Sequence, residues 1–391
     1  MASMDRRSSS PYTRSDDTDF AHTGPGTLAG RYLRSYWQPV YVADALQPGR
    51  AVPLQVMGEQ FTLYRGESGT PHLVASRCAH RGTQLSTGWV EADCIRCFYH
   101  GWKYDGSGQC VEQPAEDSGF AQKVRIHSYP VQEYLGLIFA YLGESEAPSL
   151  PRYPELEAPG ALEIKPYIRL CNYFQNLENI LDEVHIAFTH RQSGFSEYGL
   201  NFDLPKVDAE ETEYGFVLTG TRSSDVARVT HFLMPNARYL KAPPEQPEET
   251  EWRDSLAWRV PIDDEHHQVY IVDLLHVSDE GARHYRERQQ HRPIQHSGLP
   301  SAREIVTAVL AGDVRIQDIL DRPDIIIIIQ DHVTQEGQGA IADRTRDRLG
   351  RSDLAVILLR KAWTRELQAL AEERPLKQWR RPEQLATTSG V

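Results

Sequence analysis

Little in this sequence suits a membrane, a secreted scaffold or a nucleic-acid surface. The isoleucine run Ile325–Ile329 covers five residues, against roughly 20 for a membrane-spanning helix. Cysteine is scarce and odd in number, at five, which fits no fully paired extracellular framework and suits a reducing compartment. The opening residues Met1–Ser10 lack the apolar stretch of a signal peptide. A cytoplasmic location is therefore expected, with residues 1–25 as a disordered tail. Acidic residues outnumber basic ones, 55 to 42, and the net charge of −13 argues against a nucleic-acid partner. No G-x-G-x-x-G follows a strand-like run and no C-x-x-x-x-C-x-x-C occurs. Neither a nicotinamide or flavin domain nor a plant-type iron–sulfur centre is expected on this chain.

What is present begins with Cys78-Ala79-His80 and, after sixteen intervening residues, Cys97-Phe98-Tyr99-His100-Gly101-Trp102. A C-x-H…C-x-x-H set is that of a Rieske [2Fe–2S] centre, in which two thiolates hold one iron and two imidazoles the other. Zinc also takes mixed Cys/His sets, and Cys94 with Cys97 forms a C-x-x-C. Zinc pairs usually repeat one kind of residue within each half, however. Here each half supplies one Cys and one His, in a turn that contains Gly82 or Gly101. That suits a cluster gripped by two loops, one ligand to each iron from each loop. Cys94 is then a small buried hydrophobe rather than a ligand.

A second constellation occupies residues 177–190, where Asp182, His185 and His190 give D-x-x-H-x-x-x-x-H. Ile180, Leu181, Val184 and Phe188 recur with helical periodicity, which places Asp182 and His185 as neighbours on one face. His190 follows His185 by five positions, about 140° around a straight helix. The two histidines reach one metal only if the helix ends or bulges between them. Two histidines and a carboxylate on one side of an iron leave positions open for dioxygen and substrate, the arrangement of non-haem Fe(II) oxygenases.

The segments Cys78–Gly82, Cys97–Trp102 and Glu178–His190 together resemble the oxygenase (α) subunits of Rieske non-haem iron ring-hydroxylating oxygenases. The segment Gln330–Gly339, followed by Ile341-Ala342-Asp343-Arg344, is similar to the phthalate-dioxygenase-type branch. The resemblance spans roughly residues 25–375. It implies that Cys78, His80, Cys97 and His100 hold the [2Fe–2S] cluster, and that His185 and His190 hold a mononuclear Fe(II) with Asp331 as third ligand. Asp343 is the rival for that third position. Asp182 resembles the family's bridging aspartate, which links an iron-ligand histidine to a cluster histidine of the neighbouring subunit in a head-to-tail homotrimer. O2 and an aromatic small molecule are the implied substrates. NADH supplies electrons indirectly, through a separate reductase, a ferredoxin or both. Thr23–Arg34 and Cys97–His100 are similar to O-demethylases of this branch. Oxidative O-demethylation of a methoxylated aromatic acid is the first expectation, N-dealkylation of an aromatic amide or amine the second, and cis-dihydroxylation of a ring the third. A Rieske electron-transfer protein without catalytic iron is the non-enzymatic alternative.

The 391 residues, 40% hydrophobic and 25% charged, suffice for two globular domains. Residues 30–150 alternate short apolar runs (Val40–Ala43, Phe61–Tyr64, Leu73–Ala75, Leu137–Tyr141) with Gly and Pro turns, as an all-β Rieske domain would. Pro148, Pro151, Pro154 and Pro159 mark a linker. Residues 151–380 are expected to form the mononuclear-iron catalytic domain. Its strand candidates are Tyr214–Arg222, Val229–Tyr239, Leu256–Pro261 and Val269–Val277, the last two joined in a hairpin, before an amphipathic helix over Leu354–Ala371. This is an α+β fold, and the resemblance implies a helix-grip arrangement. Arg77, Arg81, Arg96 and Lys103 are candidates for a docking ring toward an acidic electron donor. Arg222, Asn236, Arg259 and His276 are candidate pocket groups.

Overall fold

The computed structural model describes residues 18–385 except 118, 194–198, 201–202, 224–226, 246–248, 250, 291–299 and 320–324. Helix α1 (Leu28–Arg34) starts at Thr27, whose hydroxyl accepts the Gly30 N–H at 3.1 Å. The strands that follow are short: β1 (Gln38–Val42), β2 (Ala51–Val56), β3 (Glu59–Arg65), β4 (Pro71–Ala75), β5 (Trp89–Glu91), β6 (Cys94–Arg96), β7 (Lys103–Asp105), β8 (Cys110–Glu112), β9 (Ser128–Tyr129), β10 (Val131–Tyr134) and β11 (Leu137–Ala140). They form three antiparallel sheets, ordered β1-β11-β10, β2-β3-β4-β9 and β5-β6-β7-β8.

The second half is built on one large sheet. Strand β12 (Ala161–Arg169) leads to α2 (Tyr173–Asn179) and α3 (Val184–Thr189). Strands β13 (Lys206–Glu211), β14 (Gly215–Thr221), β15 (Ala227–Leu233), β16 (Ala237–Ala242), β17 (Arg253–Pro261) and β18 (His267–Leu275) follow. Their order is β12-β18-β17-β16-β15-β14-β13, so the first strand closes beside the last. Helices α4 (Asp279–Gln290), α5 (Ala302–Ala311), α6 (Ile326–Glu336) and α7 (Leu354–Ala371) complete the chain. One sheet face packs on the N-terminal strands, with Trp258 edge-on to Phe139 and Tyr153. The opposite face carries Arg238, Ala257 and Arg259 toward α2, to which Arg259 donates a hydrogen bond. Trp363 of α7 is fully buried, edge-on to Tyr32 and Phe174, and ties the C-terminal helix to α1 and α2. The expected α+β class with helices gripping an antiparallel sheet is what the chain adopts. Among the described residues no helix is long and apolar enough to cross a membrane.

Three expectations need correction. Residues 18–25 of the supposed tail are ordered: Phe20 stacks on Phe174 at 4.7 Å and the Thr23 N–H donates to Asp264 at 2.9 Å. Residues 1–17 lie outside the described residues. Val229–Tyr239 is two strands, β15 and β16, because the chain turns at Met234-Pro235-Asn236 and proline has no N–H for the ladder. The helix read through 177–190 is likewise two helices, broken at residues 180–183.

Candidate metal centres

Two turns of the same design present the Cys/His pairs. In the first, between β4 and β5, the Cys78 N–H donates to Thr83 O (2.8 Å) and the Gly82 N–H to Cys78 O (2.9 Å). In the second, between β6 and β7, the Cys97 N–H donates to Trp102 O (2.8 Å) and the Gly101 N–H to Cys97 O (3.0 Å). Each turn needs a left-handed residue, Gly82 at φ 74° and Gly101 at φ 75°, which glycine adopts without steric penalty. Cys78 and Cys97 are buried, the His80 and His100 rings lie 4.4 Å apart, and Trp102 stacks on His80. Tyr104 accepts the Ala79 N–H at 3.2 Å, and its hydroxyl lies 3.2 Å from Cys78 Sγ. His80 Nδ1 is buried with no hydrogen bond among the described residues. Two buried sulfurs and an unsatisfied imidazole nitrogen form a donor set that fits a [2Fe–2S] centre. Cys94 is part-buried on β6, opposite Asp105 and Glu91.

The second constellation closes more tightly. Among the described residues, His185, His190 and Asp331 bring one donor atom each to within 4.8 Å of one another. The end of helix α3 between the two histidines makes this possible. Helix α3 stops at Thr189, and His190 leaves it at φ −103°, ψ 16°, so its ring can turn toward that of His185, 5.3 Å away. Asp331 arrives on α6. His185 donates from Nδ1 to Asp182 O (2.6 Å), and His190 from Nδ1 to Gln330 Oε1 (2.9 Å). Both rings are thereby fixed with Nε2 available to a metal. His190 Nε2 stands 3.3 Å from Asp331 Oδ1, which is buried and makes no hydrogen bond among the described residues. Burial opposes ionisation of Asp331, but the neighbouring His190 holds its carboxyl below the usual carboxylate range. Burial also keeps His185 below the ordinary imidazole value, against the pull of Asp331 and Asp182. Two imidazoles and a buried carboxylate oxygen brought together form a donor set that fits a divalent iron.

The Rieske [2Fe-2S] domain family matches residues 36–134. The chain is 31% identical to the 5,5'-dehydrodivanillate O-demethylase oxygenase subunit of Sphingobium sp. (strain NBRC 103272 / SYK-6), over 90% of this chain and 79% of that protein. It is 30% identical to the phenoxybenzoate dioxygenase subunit alpha of Ectopseudomonas oleovorans, over 90% and 84%. Its fold matches the oxygenase in the fluorene-bound oxygenase and ferredoxin complex of carbazole 1,9a-dioxygenase, with a TM-score of 0.65 at 20% identity, covering 91% and 94% of the two chains. The chain is an oxygenase subunit of the Rieske non-haem iron oxygenase family.

Not every expected residue reaches this oxygenase's centres. Asp343 is exposed and caps a short turn through Thr345, away from the histidines. Asp182 lies in the helix break rather than on a helical face; its carboxylate accepts the N–H groups of Val184 (2.8 Å) and His185 (3.3 Å). Of the proposed docking ring, Arg77 and Arg81 are exposed. Arg96 is held by Glu91 and Glu112, and Lys103 by Glu91, so local acids compensate their charge. Arg96 and Lys103 in turn push the Glu91 carboxyl down to about 2. Asn236 is bonded to Gln38 and to the Arg259 carbonyl, and His276 to Asp254. Sequence reasoning missed Gln330, although it precedes Asp331 in the same matched segment.

It also missed Glu183. This residue is completely buried, and Arg222, just past the end of β14, and Arg228 on β15 grip its carboxylate. The ion pairs pull the break between α2 and α3 onto the sheet, which sets where Asp182 and His185 stand. Glu183→Leu leaves Arg222 buried without its acid. Denaturant unfolding should show a loss of about 3–5 kcal/mol, and a loss under about 1 kcal/mol would refute this bracing role.

Proposed function

We propose that the chain is the terminal oxygenase of an NADH- and O2-dependent system that removes a methyl group from a methoxylated aromatic compound. Cys78, His80, Cys97 and His100 hold the cluster, and His185, His190 and Asp331 hold a single Fe(II). The observation that carries the reading is the convergence of those last three side chains, with a buried Asp331 oxygen left unsatisfied. When bound, the cluster passes one electron at a time and the iron activates dioxygen. The protein positions. Asp182 O and Gln330 fix the two imidazoles, and α6 delivers the carboxylate. The net change takes one O2, one NADH and a proton. The aryl methyl ether becomes a phenol, the methyl carbon leaves as formaldehyde, the second oxygen atom leaves as water, and NADH becomes NAD+ on a separate reductase, with a ferredoxin as carrier.

Electrons cross between subunits of a head-to-tail homotrimer, with Asp182 as the bridge from His185 to a cluster histidine of the next chain. Exposed apolar side chains support such a contact. Trp89, Phe98 and Tyr99 flank the second cluster turn, and Phe188 stands between His185 and His190, all at least half exposed. A closed ring of heterologous contacts buries both patches. Ring dihydroxylation is the second reading, favoured by the similarity to the phenoxybenzoate dioxygenase subunit.

Two experiments test this. With NADH, a matched reductase and O2, methoxylated arenes should yield formaldehyde and a phenol in about equal amounts; cis-diols without formaldehyde would replace demethylation by dihydroxylation. Asp331→Ala should lose the non-cluster iron while keeping the Rieske absorption spectrum, whereas Asp343→Ala should retain both. The opposite pattern would move the third ligand to Asp343.

A further inference from the structure

Helices α5 and α6 share a core of their own. A capping box of Ser301 and Glu304 starts α5, and Gly312, left-handed at φ 84°, ends it. Between those stops Ile305, Val306 and Val309 form one apolar stripe, and Ile326, Ile329 and Val333 form its counterpart on α6. The two stripes close on each other with Ile319. Arg303 of α5 adds two hydrogen bonds to Glu336 of α6, at 2.8 and 2.7 Å, and His332 gives Nδ1 to the same carboxylate at 2.6 Å. The large core that joins the N-terminal strands, α1, α2, the seven-stranded sheet and α7 takes no described side chain from either helix. Polar groups attach α6 to the rest of the chain instead. His190 donates to Gln330 and Asn176 to Gln335, the Gln175 amide reaches Gln335 O and Gly339 O, and the Leu170 N–H reaches Glu336 at 3.3 Å. One ring contact joins them, Tyr167 with His332 at 5.8 Å. Such hydrogen bonds replace bonds to water, so they fix an orientation more than they add net stability. Seating α6 there also buries Asp331 Oδ1 without a hydrogen bond among the described residues, which is unfavourable until a cation takes that oxygen.

We propose that α5 and α6 form a separately cored hairpin that seats fully on α2 and α3 when a divalent cation joins Asp331 to His185 and His190, so that iron loading and closure of this side of the site are one event. This rests on the metal site of the oxygenase reading above and adds a conformational device to it. The coupling is a linkage: a cation that needs all three ligands binds the seated hairpin and not the unseated one, and so favours seating. Helix α5 reports on it, because it moves with α6 while supplying none of the three ligands.

The test is hydrogen–deuterium exchange, read by mass spectrometry on the anaerobic full-length protein with its cluster in place, before and after chelation of the non-cluster iron. The Rieske absorption spectrum and the iron content verify each sample. Fe(II) at about a hundred times its Kd should slow exchange across both Ala302–Ala311 and Ile326–Glu336 by at least about tenfold, toward the roughly hundredfold that linkage allows. The amides of β17, β18 and α7 should not change. Protection confined to α3 and the turn around Asp331, with α5 unmoved, overturns the proposal, since the metal then steadies only its own ligands. Loosening that extends equally to β17 and β18 also overturns it, because the hairpin is then no separate unit. Asp331→Asn should abolish the response of α5 to Fe(II), and a response that persists in this variant places the cause elsewhere and overturns the coupling. An unmoved α5 in protein that holds about three irons per chain removes this inference and leaves the oxygenase reading intact. Fe(II)-dependent closure with no NADH-dependent turnover of any arene does the reverse, and the absence of a third iron removes both.

Discussion

Helix α6 has to be held against α2 before two histidines and a distant carboxylate can meet, and a buried chain of polar groups does this. Arg259 donates to Asn176, and Asn176 donates to Gln335, one helical turn beyond Asp331. Gln175 adds bonds from its amide to Gln335 O and Gly339 O, and its carbonyl accepts the Ala342 N–H. The sheet, α2 and α6 are thus joined by directional bonds where apolar packing alone would permit sliding. In an interior of low dielectric such a network specifies one arrangement, because each shift leaves a buried group unsatisfied. Gln330 extends the same logic to His190 across 140 residues of sequence. The Asp331 oxygen left over at the end of the network is where an added cation restores the balance.

The cluster half solves its problem differently. It repeats one turn, with a cysteine N–H bonded five residues ahead and a glycine N–H four residues ahead bonded back to the cysteine. Backbone hydrogen bonds shape the two turns, and the Tyr104 and Arg96 side chains brace them from the buried core that packs around both cysteines. Arg96 secures the second turn through Gly101 O (2.8 Å) while its charge is absorbed by Glu91 and Glu112. One arginine therefore shapes the loop and contributes little to the external field there.

The side chains that converge at the two candidate centres were legible in sequence because metal-binding motifs use particular residue types at short spacing, as in Cys78-x-His80 and His185–His190. The long helix over Leu354–Ala371 was legible through its periodicity. The break at residues 180–183 was not, since local apolar periodicity runs straight through it. What overrides it is a long-range ion pair from Glu183 to Arg222 and Arg228. Arg169 and Arg238 escaped for a similar reason. Arg169 ends β12 and Arg238 lies on β16, and neither strand alternates cleanly between buried and exposed residues, so the pattern could not say which polar residues look toward the metal side. The fold groups Asp331, not Asp343, with the two histidines: one rides a helix packed on α3, the other caps an exposed turn.

Everything rests on a second iron environment distinct from the cluster. Mössbauer spectroscopy of iron-57-enriched protein, purified without oxygen and reconstituted with Fe(II), measures it directly. The predicted result is about three irons per chain, two in a Rieske cluster and one high-spin Fe(II) with nitrogen and oxygen ligands. A protein that folds, holds its cluster and binds only the cluster's two irons would contradict the account, and would leave an electron carrier in place of an oxygenase.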